Sequence, residues 1–201
     1  MKVTIVDYGA GNVPSVERAL QRLGAESERT NSPERISNAE TLLLPGVGHY
    51  AALVRALDEQ NMRASLSGAI QRGVPFLGIC LGLQVLYESS EEAPQLRGLQ
   101  LLPGTVCALP SNVKLPHMGR NQVAATRHSR LLDGVESSAY FYFAHSYAFL
   151  DSSGSSAAIC SHGTPFAAVV EKQNIFAVQF HPEKSGDAGE RLLRNFLRIA
   201  A

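Results

Sequence analysis

A cysteine flanked by glycines, directly after a short apolar run, constrains the fold of this chain more than any other feature. Residues 76–84 read FLGICLGLQ, with a glycine two positions before and two positions after Cys80. This spacing is typical of a nucleophile elbow, a sharp strand-to-helix turn, with cysteine in the place of serine. Both glycines are needed because a side chain at either position would clash across the turn. The turn would also place the sulfur at a helix N-terminus, where free N–H groups and the helix dipole favour a thiolate.

Strand and helix signals alternate through the first half of the chain. Residues 3–6, 41–44 and 75–79 form short apolar runs, and helical patterns cover residues 51–57 and 64–71. Such alternation predicts an α/β fold with a central, mostly parallel sheet and helices on both faces.

The second half of the chain has shorter strand signals and more prolines. Strand pieces are predicted within residues 99–123 and 138–150, and residues 166–180 are typical of a hairpin. A last helix is predicted over residues 186–200. We therefore expect a smaller mixed or antiparallel strand region beside the main sheet, with no domain boundary.

Length and composition narrow the class of protein. A chain of 201 residues predicts one domain, residues 1–201, and 18 basic residues balance 18 acidic ones. The lack of a charged block argues against binding to nucleic acid or to an anionic membrane. No apolar run reaches the ~20 residues of a membrane span, and Asp7 ends the apolar start too early for a signal peptide. The 3 cysteines lack metal-ligand spacing, so the sequence predicts a cytoplasmic protein without a disulfide framework or a metal site.

A cysteine nucleophile needs a base and a group that orients the base. Near the C-terminus the chain reads QFHPE, so that one proline separates His181 from Glu183. In an extended chain, residues i and i+2 point to the same side, and both side chains can therefore converge on one site. Taken alone, His-x-Glu is typical of a surface histidine beside an unrelated acid, and G-x-C-x-G also fits a buried structural cysteine. Their combination in one chain favours a Cys80–His181–Glu183 triad.

Acyl transfer also requires hydrogen-bond donors for the oxyanion of the tetrahedral intermediate. Residues 45–48 read PGVG after a predicted strand, and their flexible backbone can aim the N–H groups of Val47 and Gly48 into a cleft. The N–H group of Leu81, directly after the nucleophile, is the natural second donor. Taken alone, residues 45–48 are more typical of an ordinary loop, and only their combination with the other motifs favours an oxyanion hole.

Taken together, these motifs resemble those of the class I (triad) glutamine amidotransferases. G-I-C-L-G-L-Q and H-P-E mark that superfamily, and the similarity covers the whole chain, from residues 7–12 (DYGAGN) to residues 181–185 (HPEKS). Residues 7–12, 116–121 (PHMGRN) and 142–147 (YFAHSY) resemble a narrower family, the glutaminase subunits of imidazole glycerol phosphate synthase from histidine biosynthesis. The resemblance implies the class I glutamine amidotransferase (flavodoxin-like) fold and no cofactor.

The resemblance also implies the catalytic roles. Cys80 would attack the side-chain amide of glutamine and form a γ-glutamyl thioester. His181 would take the thiol proton and later protonate the departing ammonia, and Glu183 would orient His181.

A second set of residues is implied in substrate binding. Gln84, one helical turn after the nucleophile, would help to bind the substrate glutamine, although a solvent-facing glutamine fits this position equally well. The α-amino and carboxylate groups of the substrate would be held by Gly48 and by the backbone of His145, Ser146 and Tyr147.

Members of this family dock on a (β/α)8-barrel cyclase, and ammonia travels through that barrel. By resemblance, Asn12, Tyr142 and Lys184 would line the docking face. The chain departs from the family pattern at Arg120, where tryptophan is usual, and at Ala148, where a second aromatic residue is usual. Arg120 therefore predicts a docking surface that differs in detail, matched by an acidic or aromatic residue on the cyclase.

Three other functions fit parts of the pattern. They are the glutaminase subunit of a pyridoxal phosphate synthase, a stand-alone cysteine hydrolase of γ-glutamyl compounds, and a non-catalytic regulatory module that keeps the elbow. Residues 116–121 and 143–147 argue against the first, and the intact residues of the triad argue against the last. Glutamate release from glutamine, with and without a cyclase, separates these functions.

Overall fold

The computed structural model describes residues 1–150 and 156–201. Its strands are β1 (Lys2–Val6), β2 (Glu26–Thr30), β3 (Leu42–Gly46), β4 (Phe76–Cys80), β5 (Ser89–Ser90), β6 (Thr105–Ala108), β7 (His117–Gln122), β8 (Ala124–Ala125), β9 (Tyr140–His145), β10 (Tyr147–Phe149), β11 (Ala158–Ser161), β12 (Pro165–Lys172) and β13 (Ile175–Val178). Its helices are α1 (Val13–Arg22), α2 (Pro33–Ser37), α3 (Tyr50–Glu59), α4 (Met62–Gln71), α5 (Leu81–Gln84) and α6 (Gly186–Ile199), and a 3₁₀ turn spans Pro182–Lys184. In this part of the chain, each helix is too short or too polar to act as a membrane span.

The main sheet joins the two halves of the chain. Its strand order is β2-β1-β3-β4-β13-β12-β11-β8. Neighbouring strands are parallel from β2 to β13 and antiparallel from β13 to β8. Because β4 lies between β3 and β13, the carboxyl ends of three neighbouring parallel strands meet at one edge of the sheet. Residues that follow these strands can therefore build a common site.

Helices cover both faces of this sheet. On one face, Leu20 of α1 and Phe196 of α6 share a core with Val178 of β13. On the other face, Leu57 of α3 shares a core with Leu44 of β3, and α2 and α4 contribute to the same cluster. Every residue of β3 and β4 is buried. Burial on both faces explains why these strands are continuous apolar runs instead of alternating ones.

Two smaller sheets lie beside the main one. β10, β6 and β5 form a mixed sheet, and β7 pairs with β9 in an antiparallel ribbon. On this ribbon, Phe141 and Phe143 are fully buried, whereas Met118 and Tyr140 are 65% and 51% exposed. One face of the ribbon therefore packs on the core, and the other face is open.

The predicted α/β fold, with a mostly parallel sheet and a smaller strand region, is confirmed. The predicted hairpin is the antiparallel pair β12–β13, and the last helix is α6. The apolar pattern does not predict β2, which reads ESERT. β2 is an edge strand that pairs with β1, and its Glu28 forms ion pairs with Lys2 and Arg35. An edge strand can be polar because one of its sides faces solvent.

Candidate active site

β4 ends at Cys80, and the chain turns there directly into α5. Cys80 has φ 55° and ψ −106°, a backbone conformation that residues other than glycine rarely adopt. This turn requires glycine on both sides of Cys80. A Cβ atom on Gly78 would lie 2.5 Å from the carbonyl oxygen of Gly82, which is too close. A Cβ atom on Gly82 would overlap the carbonyl oxygen of Leu44. The chain thus adopts the strained turn that the G-x-C-x-G pattern predicts.

The helix after the nucleophile is very short. α5 is a single turn, and residues 81–87 are all buried. A helix of one turn presents unpaired N–H groups but sums few peptide dipoles. The N–H group of Leu81 is therefore a better source of charge stabilisation near the sulfur than a helix dipole.

His181 and Glu183 follow β13, the neighbour of β4 in the sheet. Their side chains are only 3% and 1% exposed. Nδ1 of His181 lies 2.9 Å from Oε1 of Glu183, and the ring also interacts with Cys80. The structure thus brings together the three residues predicted as a triad.

The charge state of His181 is set by opposing effects. Burial alone would lower the pKa of His181, because it penalises the imidazolium ion. Hydrogen bonds to Cys80 and Glu183, together with the negative charges of these groups, outweigh burial and raise the pKa to about 10. The site therefore stabilises His181 in the protonated form that would result from accepting a thiol proton.

A serine holds the turn that carries the base. Oγ of Ser185 donates to the carbonyl oxygen of His181 at 2.6 Å and accepts from the N–H group of Tyr142 at 3.0 Å. The N–H group of His181 donates to the carbonyl oxygen of Tyr142 at 2.8 Å. The backbone of the base is therefore tied to β9, one strand of the β7–β9 ribbon.

Cys80 borders a cavity of about 340 Å³. The predicted site residues in its lining are Val47, Gly48, Leu81, Gln84, Tyr142, His145, Ser146, Tyr147, His181 and Lys184. A cavity of this volume has room for one amino acid.

In the predicted oxyanion loop, residues 45–48, one of the expected N–H donors is already hydrogen-bonded within the protein. The N–H group of Val47 donates to the hydroxyl of Tyr8 at 3.0 Å, and that hydroxyl donates to the carbonyl oxygen of Val47 at 3.2 Å. Burial raises the pKa of Tyr8 to about 12, so its hydroxyl keeps its proton for this second bond. The next residue, Gly48, is exposed and has φ 91°. Only glycine adopts this conformation readily, which explains the residue type in a loop that changes direction here.

Gln84 is 2% exposed and lies among buried polar groups. Its Nε2 donates to the carbonyl oxygen of Tyr147 at 2.8 Å and to Oε1 of Gln179 at 3.1 Å. Within residues 1–150 and 156–201, its Oε1 is buried without a hydrogen-bond partner. A buried acceptor without a partner is costly, and a donor on a ligand in the cavity would satisfy it.

Glu92 is a residue of the cavity that the sequence pattern does not indicate. Its Oε2 accepts from the N–H group of Tyr50 at 2.7 Å, and its Oε1 lies 3.8 Å from Nε2 of His49. It shares the cavity lining with Gly48. A carboxylate at this point suits the α-ammonium group of an amino acid. No motif surrounds Glu92 in the sequence, and only the folding of its loop against the start of α3 brings it to the cavity.

The rings of His117 and His145 are engaged with the protein itself. Burial lowers the pKa of His117 to about 4 and that of His145 to about 3. Nδ1 of His145 donates to the carbonyl oxygen of Tyr147 at 2.9 Å, and Nε2 of His145 lies 3.0 Å from Nδ1 of His117.

Among the residues that the structure describes, no cluster of histidine, cysteine or acidic side chains is arranged to hold a metal ion.

The residues predicted to contact a partner lie near the cavity. Arg120 is exposed and lies directly opposite Tyr142 in the β7–β9 register. Nζ of Lys184 lies 5.5 Å from the centroid of the Tyr142 ring. Asn12 is half-buried at the start of α1, which contacts the 3₁₀ turn that carries Lys184. Arg120, Tyr142 and Lys184 thus lie at the open face of the ribbon, whereas Asn12 is linked to it only through the contact of α1 with the 3₁₀ turn.

Known proteins resemble this chain over nearly its whole length. The family model "Glutamine amidotransferase class-I" matches residues 4–200. The imidazole glycerol phosphate synthase subunit HisH of Methanothermobacter thermautotrophicus is 45% identical, over 98% of this chain and 98% of its own. The subunit of the same name from Aquifex aeolicus is 41% identical, over 100% of this chain and 98% of its own. The solved structure of PurLQS from Thermotoga maritima matches with a TM-score of 0.77 at 18% identity, over 100% of this chain and 99% of that chain, which supports the fold alone.

Proposed function

This chain belongs to the class-I glutamine amidotransferase family, and we propose that it is the glutaminase subunit of an imidazole glycerol phosphate synthase. The observation that carries the proposal is the buried contact of Cys80, His181 and Glu183 beside a cavity of about 340 Å³. The names of the relatives, which are 41% and 45% identical to this chain, support the narrower assignment.

In the proposed reaction, His181 takes the thiol proton of Cys80, and the resulting thiolate sulfur attacks the side-chain carbonyl carbon of glutamine. The carbonyl electrons move to oxygen, and the N–H groups of Leu81 and of the loop at residues 47–48 bind the oxyanion. When the intermediate collapses, the C–N bond breaks and His181 protonates the nitrogen. Ammonia departs, and a γ-glutamyl thioester remains on Cys80. His181 then takes a proton from water, which attacks the thioester carbon. The thiolate leaves, recovers its proton from His181, and glutamate is released.

Selection of glutamine rests on polar groups around the cavity. Glu92 supplies a carboxylate for the α-ammonium group, and the unpaired Oε1 of Gln84 accepts from an N–H group of the substrate. The backbone of Gly48 and of residues 145–147 would hold the remaining α-carboxylate. Each of these groups is placed by a different element, so that the cavity recognises an amino acid as a whole.

The proposed partner is a (β/α)8-barrel cyclase. It would dock on the open face of the ribbon, where Arg120, Tyr142 and Lys184 lie, and its contact would extend to Asn12 at the start of α1. Ammonia from the cavity would enter the barrel, which forms imidazole glycerol phosphate and an aminoimidazole carboxamide ribotide from a phosphoribulosyl formimino precursor. We propose that the chain acts in the cytoplasm as a single domain of residues 1–201.

The test is a glutaminase assay of the chain alone and after co-purification with the cyclase. We expect glutamate release in the complex, and selective labelling of Cys80 by a γ-glutamyl chloroketone. Full activity of the isolated chain would favour a stand-alone hydrolase, and no activity in either state would favour a regulatory module. Labelling of Cys107 or Cys160 would overturn the choice of nucleophile.

A further inference from the structure

Gln179 is a buried polar residue to which the proposed reaction assigns no role. It follows β13 directly and is 0% exposed. Gln179 lies two residues before His181 on the segment that follows β13. Nε2 of Gln179 lies 3.5 Å from Sγ of Cys80. The end of β13 therefore brings both a base and an amide group to the sulfur.

The neighbours of Gln179 fix the orientation of its amide. The carbonyl oxygen of Tyr147 is only an acceptor, so Gln84 must turn its Nε2 toward it, at 2.8 Å. The second N–H of this group faces Oε1 of Gln179 at 3.1 Å. Gln179 consequently presents its nitrogen, which is a donor, to the sulfur of Cys80.

The carbonyl oxygen of Tyr147 is itself held from a second direction. Nδ1 of His145 donates to it, so that Nε2 of His145 accepts from Nδ1 of His117. Nδ2 of Asn121 lies 3.3 Å from the remaining ring nitrogen of His117 and donates to it. Each hydrogen bond in this series, from Asn121 through His117 and His145, therefore has one defined donor. The series ends at the carbonyl oxygen of Tyr147, which is the acceptor for Gln84 and is held in place.

We propose that Gln179 is a positioning residue that donates a hydrogen bond to Sγ of Cys80 and links the nucleophile to Gln84. An N–H donor stabilises a thiolate more than a thiol, because hydrogen bonds to charged acceptors are stronger. The bond also restricts rotation of the Cys80 side chain before a substrate arrives. The effect on turnover rests on the proposed glutaminase function, whereas the contact with the sulfur does not.

Alkylation of Cys80 by iodoacetamide tests the contact in the full chain, without glutamine or cyclase. The rate is followed at pH 7 by mass spectrometry of the peptide that contains Cys80. Burial raises the pKa of Cys160 to about 12, and burial and Glu91 raise that of Cys107, so both other thiols react slowly. Their peptides serve as internal references.

Two variants separate the donor from the acceptor of Gln179. Gln179→Met keeps the length of the side chain but removes both, and we expect alkylation to slow about tenfold. Gln179→Glu keeps an acceptor for Gln84 but turns a carboxylate oxygen toward the sulfur, and we expect an equal or larger loss. A loss in Gln179→Met without a loss in Gln179→Glu would overturn the contact with the sulfur.

Phe180→Leu is the matched control. Phe180 is the next residue, is fully buried, and stacks on Phe141 with ring centroids 4.1 Å apart. The substitution Phe180→Leu loosens the same strand end without removing a hydrogen bond to Cys80. We therefore expect the rate of Cys80 alkylation to stay within twofold of that of the unsubstituted chain. Unchanged alkylation in both variants of Gln179, or an equal loss in Phe180→Leu, would overturn the proposal.

Steady-state kinetics of the complex with cyclase give a second readout. We expect Gln179→Met to lower kcat about tenfold and to change KM for glutamine less than threefold, because the residue acts on the nucleophile. A change confined to KM would overturn the role at the sulfur. If the complex has no glutaminase activity but the alkylation pattern is as expected, the proposed function fails and the positioning role of Gln179 stands.

Discussion

The two sides of the active-site cavity are built in different ways. On one side, Cys80 and His181 follow the neighbouring core strands β4 and β13, and Glu183 is hydrogen-bonded to His181 with its side chain 1% exposed. On the other side, the loop after β3 is partly exposed, and the N–H group of Val47 donates to Tyr8. The nucleophile and base are thus already in contact, while one expected oxyanion donor is occupied elsewhere.

This difference has a physical origin and a functional consequence. The triad side is fixed by parallel pairing and by burial on both faces of the sheet, which leave little freedom at the strand ends. The oxyanion loop is held by two hydrogen bonds with Tyr8, each with a net stabilisation of about 0.5–1.5 kcal/mol. A segment that must rearrange is best held by such weak contacts. A partner that binds beside the cavity would therefore act on the loop and not on the triad.

Loss of the nucleophile should have the largest effect, because it removes the side of the site that is already assembled. In the complex with cyclase, we expect Cys80→Ser to lower glutamine turnover roughly 10⁴-fold or more, since a hydroxyl lacks the acidity of the thiol. Glutamate release measures this. Cys107→Ser is the control, with turnover expected within twofold, and both variants should unfold at the temperature of the unsubstituted chain. Residual activity of Cys80→Ser within tenfold of the control would contradict the assignment.

Binding of the cyclase should have the next largest effect, through the oxyanion loop. A missing oxyanion donor costs about 10²–10³ in rate. We therefore expect the cyclase, with its nucleotide ligand bound, to raise glutamine turnover by at least ~10²-fold over the isolated chain. The rate of Cys80 alkylation by iodoacetamide should change far less, because the triad side is already formed. Equal activation of both rates would show that the triad side also rearranges when the cyclase binds.

Removal of the Tyr8 hydroxyl should partly release the loop without a partner. Tyr8→Phe removes two hydrogen bonds with Val47. We expect glutamine turnover of the isolated chain to rise about 2- to 10-fold, which corresponds to one hydrogen bond of about 0.5–1.5 kcal/mol. Tyr50→Phe is the matched control, because the Tyr50 hydroxyl is buried without a hydrogen-bond partner among the described residues. A fall in turnover for Tyr8→Phe, or an equal rise for Tyr50→Phe, would refute the role of this contact.

Arg120 should have the smallest effect, since it lies on the exposed face of the ribbon. If Arg120 pairs with an acidic residue of the cyclase, the dissociation constant of the complex should rise with salt, because the Debye length falls from ~10 Å at 0.1 M to ~3 Å at 1 M. We expect Arg120→Trp to reduce this salt dependence a few-fold, as measured by titration with cyclase at low and high salt. Gln122→Trp, at the next exposed position of β7, controls for a new aromatic side chain. Identical salt slopes for Arg120→Trp and the unsubstituted chain would reject charge pairing.

The sequence by itself determined the local chemistry of the elbow and the arrangement of the layers. Gly78 is required by a contact within the turn, with the carbonyl oxygen of Gly82, and the spacing of the two glycines is visible in the chain, whereas the close neighbour of Gly82 is Leu44 of β3. The central strands are continuous apolar runs because both faces are buried, and this pattern predicts a parallel sheet. The relation of His181 to Glu183 is also local, because the two residues are two apart in sequence, although a 3₁₀ turn over Pro182–Lys184, and not the expected extended chain, brings their side chains together.

Tertiary structure decided what depends on distant segments. β2 is polar and becomes a strand only because β1 offers an edge. Glu92 enters the cavity because its loop packs against the start of α3, and Tyr8 reaches Val47 across 39 positions of sequence. Gln179 meets Cys80 across 99 positions, through the pairing of β13 with β4. No local pattern encodes these contacts, because the free energy that fixes them comes from the packing of whole strands and helices.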